Sequence, residues 1–337
     1  MARPDSSFFD RIRWGIRIYL MKVLLEIVIF IRYIRPSPPL ERPTYTKYYR
    51  TRPELVNYVW IPSSYKAGDS PLLPLLIDIH GGGFSIGHPT FNDNDNAILC
   101  HKHGICVVSI NYRKAPRYPF PIPTQDVAAL IQAVLDDPDL PVDKTKVAVA
   151  GYSAGGTLSL TATQLNGLAD RVKGVVAYYP ATEPGRELQN KINSSVPPPT
   201  RKDILIALAP AFNWAYLPLE HDLHDPLFAP LYADRAALPQ KLFIIGCEYD
   251  LLCAEASEMA ERLAEAEGNT ATKKELGQGR TGWQCGNITW EELKGLEHGF
   301  NQRRLAERNV EIRKLWEDKT EEMHAYVAEW LFREVYS

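Results

Sequence analysis

A chain of 337 residues can hold one large α/β domain or two smaller ones around a substantial core. With 45% apolar and 23% charged residues it has the make-up of a globular protein, which excludes a fibrous or disordered chain. A net charge of −3 gives no electrostatic case for nucleic acid. Five scattered cysteines (Cys100, Cys106, Cys247, Cys253 and Cys285) form neither a disulfide framework nor a CxxC metal site, so reduced thiols in the cytoplasm are expected.

The N-terminal stretch, residues 8–34, is strongly apolar but carries Arg17, Lys22, Glu26 and Arg32. A spanning helix wants about 20 nearly uncharged residues. Central charges oppose insertion, although Lys22 and Glu26 could pair at i, i+4. No small-residue cleavage site follows. Three readings are open: a helix over the protein's own active site, a helix lying on or anchored in a membrane such as the endoplasmic reticulum, and a homodimer contact.

After a proline-rich break at 36–43, strands are expected at 55–62, 72–80, 105–112, 145–152, 172–180, 241–250 and 287–293. The run at 72–80 is continuously apolar, as a strand buried on both faces would be. Helical patterns fall between them at 124–137, 155–168 and 253–268. This alternation predicts an α/β fold with a mostly parallel sheet and helices on both faces. Residues 184–225 break the rhythm with a polar, proline-rich stretch and then an apolar helix interrupted by Pro210. An insertion of this length, with the N-terminal helix, is expected to cap the sheet's C-terminal edge. The glycine-rich segment 270–287 reads as a surface excursion.

A Gly-x-Ser-x-Gly string such as the one around Ser153 arises by chance in roughly one chain in ten of this size. Here a strand precedes it and a helix start follows, the setting a nucleophile elbow requires. Gly151 and Gly155 stand where a Cβ would strike neighbouring backbone, and the Ala154 amide opens a helix where it can face an anion. The loop HGGG at 80–83 also follows a buried strand. It lacks the Lys-Ser/Thr and spacing of a phosphate loop. The amides of Gly82 and Gly83, with Ala154, therefore read as an oxyanion hole, and His80 as a loop-holding side chain. A base and an orienting acid are then needed. His298 and Asp250 each follow a predicted strand, so both fall at the sheet's active edge. Glu248 is the rival acid, and the His101–x–His103 pair lacks nearby acids for a metal.

These motifs resemble the hormone-sensitive-lipase-like carboxylesterases of the α/β-hydrolase fold. The likeness runs over about residues 70–330, through HGGG, NYRKAPRYPFPIPTQD (111–126), GYSAGG (151–156), DPLFAPLYA (225–233), GCEYDLL (246–252) and HGF (298–300). It implies an eight-stranded, mostly parallel sheet with a helical cap. The core would be 46–183 and 226–337, with 1–45 as the N-terminal segment and 184–225 as the cap insertion. It also implies catalytic Ser153, Asp250 and His298, oxyanion donors Gly82, Gly83 and Ala154, and supporting His80, Gly151, Tyr152 and Gly155.

Three positions depart from the family pattern: Tyr152 for Asp, Arg117 for Glu and Thr157 for Asn. Tyr152 and Arg117 are expected to alter the cap contact or pocket polarity. The expected activity is hydrolysis of small to medium apolar acyl or aryl esters, without metal or organic cofactor. Amide, formamide or thioester hydrolysis, acyl transfer and ligand binding on the same scaffold are the alternatives.

Overall fold

The β-branched runs of this sequence need cover on both faces, and they find it in one central sheet. The structure, a computed structural model, describes residues 7–35, 37–66, 68, 70–199, 203–217, 220–268 and 273–337. Parts of the segments read above (1–6, Pro36, 200–202, 218–219 and 270–272) lie outside the described residues.

The sheet's first five strands are β1 (Tyr45–Tyr49), β2 (Arg52–Trp60), β3 (Leu73–Ile79), β4 (Cys106–Ile110) and β5 (Val142–Tyr152). The others are β6 (Gly174–Tyr178), β7 (Lys241–Tyr249), β8 (Lys274–Glu275), β9 (Thr281–Cys285) and β10 (Ile288–Glu297). Their spatial order is β1-β2-β4-β3-β5-β6-β7-β10-β9-β8. From β4 to β10 every pairing is parallel, while β1 and β2 at one edge and β9 and β8 at the other run antiparallel. All five residues of β4 and of β6 are buried, as strands covered on two faces must be.

The helices are α1 (Phe8–Ile34), α2 (Asp93–Ala97), α3 (Ile122–Leu135), α4 (Ala154–Ala162) and α5 (Leu168–Arg171). They continue with α6 (Leu188–Ser194), α7 (Ile204–Tyr216), α8 (Cys253–Ala266), α9 (Phe300–Arg303) and α10 (Val310–Glu334). One sheet face, with Ile77 and Val149, packs on Ile131 of α3, Leu158 of α4 and Met259 of α8. The other, with Leu76 and Phe243, packs on Trp316, Val327 and Leu331 of α10. Neighbours on one strand, such as Leu76 and Ile77, thus serve opposite layers.

Three expectations are corrected here. Eight strands form the expected run, but β9 and β8 extend it to ten, because the 270–287 segment folds back as a ribbon on β10 rather than standing off as a surface loop. Helix α7 runs through Pro210 instead of breaking there. A proline removes one backbone bond, and the packing of α7 against α1 holds the helix across the gap. The helix read at 155–168 ends at Ala162, with α5 a separate turn.

Candidate active site

Four loops at the C-terminal edge of the parallel strands converge, the place where open α/β sheets bind ligands. They follow β3 (the glycine loop), β5 (Ser153), β7 (Asp250) and β10 (His298). Ser153 sits at the turn into α4 with φ +56° and ψ −120°, a backbone that side chains rarely adopt. The flanking glycines allow it. A Cβ on Gly151 would lie 2.1 Å from the Gly155 carbonyl oxygen, and one on Gly155 would lie 2.1 Å from that of Ile79.

The turn lifts the Ser153 hydroxyl toward His298, whose Nε2 lies 2.9 Å from Oγ. The other ring nitrogen, Nδ1, is 2.8 Å from Oδ2 of Asp250. Asp250 is fully buried, and its Oδ1 accepts from the Leu252 amide at 2.9 Å. Burial disfavours the charged imidazole, but the Asp250 carboxylate outweighs it through charge and hydrogen bond, and Asp203 adds to this. The pKa of His298 is therefore raised above the ordinary imidazole value. The edge of the Tyr179 ring abuts His298 at a centroid distance of 4.8 Å, and the Tyr179 hydroxyl donates to Asn301 Oδ1. Glu248 is elsewhere: its carboxylate accepts from the Gly295 amide and Lys294.

The glycine loop lies against this line. Gly82 and Gly83 have φ +118° and +56°. A Cβ on Gly82 would strike the Ile86 carbonyl, and one on Gly83 would strike the Phe212 ring, each at 2.3 Å. Among the described residues, the amides of Gly82, Gly83 and Ala154 have no hydrogen-bond acceptor. Gly83 and Ala154 line the same cavity as Ser153. His80 stays within the loop. Its nitrogens meet the Gly81 carbonyl and Asn111 Oδ1, and its ring stacks on Tyr112 at 4.5 Å. Burial, with Lys114 nearby, pushes its pKa far below the ordinary imidazole value, so it stays neutral.

The cavity above Ser153 has a volume of about 530 Å³. Its walls are largely apolar: Trp14 from α1, Leu188 from α6, Leu205, Phe212 and Trp214 from α7, and Leu251 and Leu252 after β7. Lys191 also faces it but is paired with buried Glu255 at 2.7 Å, and Arg186 is paired with Glu183 and Glu258.

Sequence reading missed Trp14, Tyr179 and Asp203. Asp203 caps α7 by accepting from the Leu205 amide at 2.8 Å, and its second oxygen accepts from the Leu251 amide at 2.7 Å, next to Asp250. The Asp before an apolar helix was a visible capping signal; its reach to Leu251 was not.

Tyr152 departs from expectation. It is paired in register with Tyr178, and on adjacent parallel strands that puts both rings on one face, stacked at 4.3 Å. That face belongs to the α10 layer, away from the cavity. Arg117 does not line the cavity either; its guanidinium rests on the Tyr118 ring. Thr157 donates to the Ala181 carbonyl at 2.8 Å. His101 accepts from the Ser63 amide, and among the described residues no cluster of acids, histidines and cysteines could hold a metal.

Comparison with known proteins agrees with this architecture. Residues 76–280 match a protein family described as having the alpha/beta hydrolase fold. An arylesterase of Saccharolobus solfataricus is 32% identical over 198 residues, covering 57% of this chain and 62% of its own. The carboxylesterase NlhH of Mycobacterium tuberculosis is also 32% identical, over 58% of this chain and 61% of its own. The chain thus spans about three fifths of the length of these curated relatives. A hyperthermophilic esterase from Pyrobaculum calidifontis superposes with a TM-score of 0.69 at 26% identity, over 98% of this chain and 92% of that one. The chain belongs to the α/β-hydrolase fold family, and its HGGG and GYSAGG motifs resemble those of the hormone-sensitive-lipase-like group.

Proposed function

We propose that the protein is a serine carboxylic-ester hydrolase for small to medium apolar acyl or aryl esters. The observation that carries this reading is the hydrogen-bonded line Ser153–His298–Asp250 at the floor of an apolar cavity. His298 Nε2 takes the Ser153 proton as Oγ attacks the ester carbonyl. The oxygen that becomes negative is met by the amides of Gly82, Gly83 and Ala154, which need no reorganisation to receive it. His298 then returns the proton to the leaving alcohol. Water, deprotonated by the same ring, releases the acid from the acyl-serine. Asp250 fixes the tautomer and stabilises the imidazolium. Every proton and charge in this scheme is handled by the chain's own residues. The names of the arylesterase and carboxylesterase relatives support it. The paired state of Lys191 and Arg186 favours uncharged substrates.

A fluorophosphonate probe tests the reading directly. It should label Ser153 in the folded protein, and Ser153→Ala should abolish labelling and reduce ester turnover by about 10⁶-fold. With p-nitrophenyl esters of increasing chain length, turnover should peak at short to medium acyl groups. No labelling of the folded protein, or fastest turnover on highly charged esters, would overturn it.

A further inference from the structure

Helix α1 is two-faced. Its inner face holds Trp14, Ile18 and Met21 against the body, and its polar side chains fasten it there. Arg17 donates to the Ala207 carbonyl, Lys22 to that of Ala115 at 2.7 Å rather than pairing with Glu26, and Arg32 to that of Thr90 beside Asp93. Among the described residues, its outer face is left exposed. Phe9, Ile16, Leu20, Val23, Ile27 and Phe30 recur at spacings of three, four or seven and are 49–80% exposed. They form one apolar stripe along a helix of 27 residues, about 40 Å long. An uncovered stripe of this extent marks a docking surface.

Charge decides between occupants. Arg11, Arg13, Arg17, Lys22 and Arg32 stand against only Asp10 and Glu26 on this helix, whereas the whole chain is net negative. Two copies meeting here would bring helices of like charge together, while anionic headgroups would answer that charge. Among the described residues no helix is long and apolar enough to cross a membrane. A basic helix with one continuous apolar face, rich in Phe, Leu and Ile, instead lies in the interface plane. We infer that the outer face of α1 docks this protein on an anionic bilayer surface, with the helix parallel to the membrane.

The test uses the full chain with sedimented vesicles, either phosphatidylcholine alone or phosphatidylcholine containing phosphatidylserine. The protein should co-sediment with the anionic vesicles, less with the neutral ones, and less again as salt is raised. The triple variant Ile16→Glu/Leu20→Glu/Val23→Glu should lose about tenfold or more of the bound-to-free ratio. The same variant should remain folded by circular dichroism, since these side chains are 56–63% exposed. Three outcomes would overturn the proposal: full-length protein left in the supernatant with anionic vesicles, equal binding to both vesicle types, or a dimer in analytical ultracentrifugation that the triple variant dissolves. No readout uses catalysis, so the hydrolase reading stands or falls separately.

Discussion

Ser153 holds a left-handed backbone that costs about 1–3 kcal/mol in a non-glycine residue, and the surrounding strand and helix impose it. That strain presents the hydroxyl to His298, so the proton affinity of this ring sets the pH dependence. Only the neutral imidazole can accept the Ser153 proton. Because Asp250 raises the His298 pKa, kcat/KM should fall as pH drops through a midpoint above the ordinary value of about 6.5. Asp250→Asn removes the charge that raises it. The acid limb should then move to lower pH while kcat drops on the order of 10⁴-fold, as read from a pH–rate profile. The three residues were legible in sequence because each falls at or shortly after the end of an expected strand, where packing gives no reason for a polar side chain. Tyr152 was misread for the opposite reason: its neighbour Tyr178 is fixed by strand register, and one chain read alone does not show which strands are adjacent.

At the scale of elements, one carboxylate ties the cap to the acid loop. Asp203 serves the first turn of α7 and the Leu251 amide together, with little exposure to water. Asp203→Ala leaves a buried amide without a partner and an uncapped helix. It should lower stability by about 2 kcal/mol or more. Because Leu251 adjoins Asp250, kcat should fall more than KM changes, and Asp203→Asn, which keeps an acceptor oxygen, should recover part of both. Chemical denaturation and steady-state kinetics on one apolar ester check this. The parallel core was legible as elements because buried strands and amphipathic helices differ in period. The edges were not. β1 alternates without strong apolar residues, and β9 is held by pairing with β10, and β8 with β9, rather than by their own composition.

Across the whole molecule, the binding cavity is assembled from distant parts of the chain: Trp14 of α1 meets α7, while the reacting groups stand on the sheet. Removing residues 1–40 should therefore leave the sheet folded and Ser153 reactive to a fluorophosphonate. It should also raise KM for the larger apolar esters by about tenfold, the effect expected of one lost aromatic wall. Trp14→Ala should reproduce most of that change in a chain that keeps α1. The same arrangement bears on biosynthesis. α1 is apolar on both faces, and α7, which covers the inner one, begins about 170 residues after α1 ends. At translation rates of about 5–20 residues per second, α1 waits roughly 10–30 s for α7. During that interval the nascent chain offers a helix with two uncovered apolar faces to chaperones, to other chains or to a nearby membrane, before Asp250 and His298 have been made.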